Sequence, residues 1–197
     1  MSSVSANQSE SKNDLYQNEN MLDKLVFDAF ELGPIERALV KEFTQYELDF
    51  FKKKEASKAC YPATEQLVIS YASVFKNAFE TIIKESKREV SATVYVGNKE
   101  LFVASFILQP LGEGGKISII RDSEDLNEVL RKLNRTIKRE MSRDIFFSRF
   151  LKIYESDVVY LVRPSDARLW TTSHAITDLE DVLADVLTAW GGQRIDR

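Results

Sequence analysis

The chain has 197 residues, 44% of them hydrophobic, enough for one domain with a packed core of its own. Its 27 basic and 31 acidic residues give a net charge of −4, which excludes a uniformly basic nucleic-acid coat but not a local basic patch. A single cysteine, Cys60, excludes an intrachain disulfide and a cysteine-rich zinc site, and a single histidine, His174, excludes paired-histidine metal sites.

Residues 1–20 are rich in Ser, Asn and Gln and too poor in apolar groups to offset the entropy of ordering. They are expected to form a disordered tail ahead of one domain over 21–197. The tail lacks the apolar run of a signal peptide, and no stretch of the chain has the length of a membrane span. With an unpaired cysteine, this points to the cytoplasm and to no membrane partner.

Leu22, Leu25, Val26 and Ala29 share one helical face, and Gly33-Pro34 ends that helix. Pro34 suits the first turn of a second helix, in which Ile35, Ala38, Leu39, Phe43, Tyr46 and Phe50 recur at helical spacing. Its end, Lys52-Lys53-Lys54, complements the helix dipole. After Pro62 the stripe Leu67, Val68, Tyr71, Ala72, Phe75, Ala78, Phe79, Ile82 and Ile83 predicts the main core helix, centred on Phe79.

At Val90 the period changes from 3.6 to 2. Val90, Ala92, Val94 and Val96 alternate with polar residues, and Gly97-Asn98 reads as a two-residue hairpin turn. The next strand, 101–108, is apolar on both faces and so belongs in the middle of its sheet. Residues 110–115 form a Gly-rich loop, and 116–120 a third strand. Asp122 or Ser123 caps a helix with an apolar face from Leu126 to Met141. Two strands follow, over 146–154 and 157–162. Ser173 then caps a last helix, which Gly191-Gly192 ends. The fold class is α+β, in the order helices, three strands, helix, two strands, helix. The short links predict one antiparallel sheet of about five strands in a two-layer domain.

The loop at 112–116 lacks the Gly-Lys-Ser/Thr ending of a phosphate loop, since Ile117 follows Lys116. The strands carry no acidic pair followed by a lysine, as a metal-dependent nuclease core requires. Asp178, Asp181 and Asp185 share one face of the last helix, where the dipole and solvent account for them. Ser173 and His174 adjoin in sequence without the spacing of a nucleophile and its base. No catalytic residue, metal ligand or cofactor is therefore expected.

The most pronounced charge feature is the run Arg131, Lys132, Arg135, Lys138, Arg139 and Arg143. Arg131, Arg135 and Lys138 fall on one stripe opposite the apolar face. Such a stripe is a solvated face, a contact for an acidic protein or a row of phosphate contacts. Arg131, Arg135, Lys138, Arg139 and Arg143 are the candidates for nucleic-acid or acidic-partner binding.

The segment from Tyr160 to Ala175 contains Arg163-Pro164-Ser165-Asp166-Ala167-Arg168-Leu169-Trp170 followed by Thr171-Thr172-Ser173-His174. It resembles the C-terminal stretch of uncharacterised bacterial proteins that accompany restriction-modification or phage-defence genes. That resemblance implies an accessory role near DNA and makes Arg163, Arg168 and Trp170 a second candidate site. The element order is also similar to that of type III secretion chaperones, which are small dimeric proteins that bind partner polypeptides. The expected function is thus a non-enzymatic accessory or binding protein, with a dimeric chaperone-like protein as the alternative. A protein partner is expected first and nucleic acid second, with homo-oligomerisation open.

Overall fold

A computed structural model describes residues 21–97, 99–140 and 150–192, with side-chain surroundings for all of these but 135–140 and 189–192. The tail expected over 1–20 lies outside them. The chain divides into two compact units, one ending at Lys41 and the other beginning at Glu42.

In the first unit, helix α1 covers 21–29 and is followed by α2, Pro34–Glu42, whose last residue begins the second unit; Pro34 lies in the first turn as expected. Glu31 adopts a left-handed conformation (φ 53°) in the connection. Arg37 closes the hairpin. Its Nε donates to the Leu32 carbonyl at 2.6 Å, and its guanidinium pairs with Asp28 at 2.7 Å. Phe27 is buried beneath the cations of Arg37 and Lys41.

The second unit continues through a π-helical turn, Phe43–Glu47, into α3, Leu48–Lys53. The core helix α4 spans Glu65–Ile83. Its N-cap is Thr64, whose hydroxyl accepts from the Leu67 N–H, so the helix starts three residues beyond Pro62. The strands are β1, Arg88–Tyr95, β2, Leu101–Pro110, and β3, Ile117–Ile120. Helix α5, Ser123–Glu140, separates them from β4, Leu151–Glu155, and β5, Val158–Pro164. Helix α6 runs from Thr172 to Gly192, capped by Thr171 rather than Ser173.

The five strands form one sheet in the order β3-β1-β2-β5-β4, with β2 in the middle as its two apolar faces predict. The sheet is mixed, not wholly antiparallel, because β3 pairs with β1 in parallel. Each strand still reverses direction from the one before it. But β2 has β5 on its other side, so β3 crosses the end of β1 and settles on the outer edge. Two reversals make it parallel to β1. The glycine loop makes the crossing possible: a Cβ on Gly115 would lie 2.7 Å from the Val90 carbonyl.

The link between β1 and β2 is longer than the two-residue turn expected at Gly97-Asn98. Val96 is still engaged with β3, donating to the Ile120 carbonyl at 2.8 Å. Gly97 then passes the start of α5 so closely that a Cβ would meet the Asp122 carbonyl oxygen at 2.5 Å.

Alternation sorts the strand residues to two faces. Val90, Ala92, Val94, Phe102, Ala104, Phe106 and Leu161 face α4 and α6. Val103, Ile153, Tyr160 and Val162 face α5 through Leu126 and Leu133. Helices therefore cover both faces, one layer more than the short strand links predict. Phe75 is fully buried and stacks on Phe106 with ring centroids 3.8 Å apart. Phe79 is half-buried and meets Phe75 edge-on, so the packing centre of α4 lies one turn earlier than the stripe alone predicts.

Phe75→Ala is expected to cost about 3–5 kcal/mol of stability in urea unfolding. Phe79→Ala is expected to cost clearly less. Equal costs would mean that the core is not centred on the Phe75–Phe106 stack.

Candidate functional site

The second candidate set, Arg163, Arg168 and Trp170, is built into the interior. Arg163 ends β5 on the face turned to α4 and α6, with only 3% of its side chain exposed. One guanidinium nitrogen pairs with Asp178 of α6 at 2.5 Å, and the other donates to the Leu169 carbonyl at 2.6 Å. Asp178 also accepts from the Tyr71 hydroxyl of α4. The rings of Tyr71, Phe150 and Trp170 surround the guanidinium, Phe150 at 4.2 Å. Trp170 is fully buried, and its indole N–H donates to the Pro164 carbonyl. Arg168 stacks on Phe50 at 4.1 Å and pairs with Asp166.

The segment around them is tied down by its backbone. Ala63 N–H donates to the Ser165 carbonyl, Ser165 N–H to the Glu100 carbonyl, and Ala167 N–H to the Tyr61 carbonyl. These residues form a strut joining β5, α4, α6 and two connecting loops. Asp178 is buried with Arg163, which corrects the expectation that it shares a solvated acidic face with Asp181 and Asp185. Those two face Lys152 of β4, with Asp185 2.6 Å from its ammonium. That ammonium, with the Tyr154 hydroxyl, holds the Asp185 carboxyl below its usual pKa.

The N-terminus of α6 is occupied by the protein's own carboxylate. Glu42 accepts from the backbone N–H groups of Thr172 and Ser173 at 2.8 and 3.1 Å. The Thr171 hydroxyl accepts from the His174 backbone and lies 2.9 Å from His174 Nδ1. Burial, reinforced by the Arg163 charge, lowers the pKa of His174 and keeps its ring neutral.

The glycine loop likewise holds a carboxylate of the chain. The Gln109 amide and the backbone N–H groups of Gly115, Gly114 and Gly112 lower the pKa of Glu89. Gly112 and Gly114 take positive φ values, 103° and 82°, in making this turn. Among the described residues, no group of three or more His, Cys, Asp or Glu side chains could hold a metal ion.

Of the cationic helix, Arg131 is exposed on α5. The side chains of Arg135, Lys138 and Arg139, and all of Arg143, lie outside the described residues. Lys132 reaches off the helix to Glu155 of β4 at 2.8 Å, with its ammonium over the Tyr160 ring.

Beside Arg131 and Lys132 an open groove of about 1180 Å³ runs between α5 and the sheet. Tyr95, Ile120 and Tyr160 line it from the sheet, and Glu124, Asp125, Asn127, Glu128, Val129, Arg131 and Lys132 from the helix. It opens beside the cluster in which Leu126 and Leu133 of α5 pack over β2, β4 and β5, with Tyr95 of β1 at its margin. Burial and the adjacent Tyr160 raise the pKa of Tyr95, so its phenol stays protonated and can donate. With Lys132 neutralised by Glu155, three carboxylates face Arg131 across the described lining. The alternation of β1 marks Tyr95 as facing away from the main core, but no local pattern brings it next to Tyr160, since that pairing depends on strand order.

Two outcomes follow from the buried groups. Arg163→Met strands the Asp178 charge and is expected to cost about 3–5 kcal/mol in urea unfolding, whereas Arg163→Met with Asp178→Leu recovers much of that loss. A double variant no more stable than the single would contradict this account. For His174, the folded pKa lies below that of the unfolded chain. The unfolded state therefore binds the proton first as pH falls, and stability present above about pH 6.5 is lost as pH falls below it. His174→Asn should flatten melting temperature against pH in that window, while the carboxylates titrate below it.

The chain matches no protein-family model, no curated protein and no solved structure.

Proposed function

We propose that the protein is a non-enzymatic binding protein that seats a polypeptide segment of a partner in the groove between α5 and the sheet. The observation that carries this reading is the pair Tyr95 and Tyr160 on the floor of an open, half-covered sheet face. Tyrosine is enriched where proteins meet, because it offers a large rigid surface with a donor at its tip.

The rim favours a segment with basic side chains. Glu124, Asp125 and Glu128 line the groove from the first turns of α5, and the Tyr95 face suits a cation. The accessory role near DNA implied by the C-terminal resemblance fits such a protein, with the nucleic acid held by the partner. Among the described residues no helix is long and apolar enough to cross a membrane.

A photo-crosslinking residue at Asn127 is expected to trap one polypeptide in the host, and the same residue at Thr188 on α6 is not. Tyr95→Ala and the triple change Glu124→Gln, Asp125→Asn, Glu128→Gln should each weaken that complex about tenfold or more, a loss of about 1.4 kcal/mol. Crosslinking to nucleic acid at Asn127, or equal yields at Asn127 and Thr188, would overturn the proposal.

A further inference from the structure

Helix α1 turns Phe27 to α2 and a wider apolar stripe away from it. Phe27 is buried against the Arg37 and Lys41 side chains of α2. The opposite face carries Met21, Leu22, Leu25, Val26, Ala29 and Phe30, all exposed, from 44% at Val26 to 74% at Phe30 among the larger ones. A surface helix with an apolar stripe of this width gains stability when the stripe is covered.

We infer that the α1–α2 hairpin is a homodimerisation element, in which the outward stripe of α1 packs on the same stripe of a second copy. Three features favour a second copy. The first is area: the five large side chains leave about 500 Å² of apolar surface open, at the upper end of what a monomer keeps in water. A two-fold pair would bury about 1,000 Å² in total, the threshold of a specific interface.

The second is charge. Asp28 is already neutralised by Arg37, which leaves Asp23 and Lys24 beside the stripe, of opposite sign and with no net repulsion between copies. The third is shape. Leu22, Leu25 and Ala29 recur at the three- and four-residue steps of a helix–helix seam, and small Ala29 lets the axes approach. The inference is independent of the groove, which lies in the other unit.

The test is the mass of the full chain in solution. Sedimentation over the micromolar range is expected to give a species of twice 22.6 kDa. Leu25→Asp should raise the dissociation constant about tenfold or more, a loss of about 1.4 kcal/mol, while Thr188→Asp leaves it unchanged. In a Cys60→Ser background, Val26→Cys should form a disulfide-linked dimer on mild oxidation and Lys24→Cys should not. Circular dichroism of Leu25→Asp checks that the second unit still folds. A monomer at every concentration overturns the inference, as does a dimer indifferent to Leu25→Asp. A chain that is monomeric alone but holds a different protein through this stripe also overturns it.

Discussion

The second unit is organised around one buried ion pair. Arg163 and Asp178 lie 15 residues apart on β5 and α6, almost without solvent, and each is useless to the fold without the other. An isolated buried charge costs several kcal/mol, so the pair constrains every element that touches it. Asp178 takes a second donor from Tyr71 of α4, and Arg163 a second acceptor from the Leu169 carbonyl. The arginine Nε has no hydrogen-bond partner and faces aromatic rings. Hydrophobic contact alone would let α4 and α6 slide over the sheet at small cost. Directional bonds from one charged centre to both helices and the strand set their register.

This pair explains why a segment full of charged and polar residues is internal. Arg163-Pro164-Ser165-Asp166-Ala167-Arg168 reads as a surface loop by composition. Yet its carbonyls and N–H groups are engaged by Ala63, Tyr61 and Glu100, and its hydroxyl Ser165 donates to the Lys99 carbonyl. The segment satisfies the loose ends of two loops while delivering Trp170 to the core. Arg163, Arg168 and Trp170 thus make their polar and ring contacts inside the fold.

Much of the architecture was legible because periodicity reports burial. The change of period at Val90, the two-sided β2 and the apolar stripe of α4 each correspond to an observed element. What local pattern does not encode is strand order. The loop 111–116 reads as a simple reversal, and nothing in it says that β3 lands beyond β1. The same limit hides the groove, because Tyr95 and Tyr160 lie on strands separated by β2. Asp178 illustrates a different limit. Asp178, Asp181 and Asp185 are chemically alike on one helix, and only the partner strand distinguishes a core ion pair from two surface ones. Glu42 was invisible for a related reason: it caps a helix 130 residues away, so no local capping pattern exists.

A common logic runs through the charged groups. Among the described residues, four features that would attract an anion from outside are filled by carboxylates of the chain. The α6 N-terminus holds Glu42, the glycine loop holds Glu89, Lys152 holds Asp185, and Lys132 holds Glu155. At those four places internal pairing fixes geometry and fills the positive end. The open polar surface beside α5 is by contrast acidic and aromatic in its described part. A net charge of −4 is thus not spread evenly over function. Those four contacts hold the scaffold together, while Glu124, Asp125 and Glu128 line the groove beside α5.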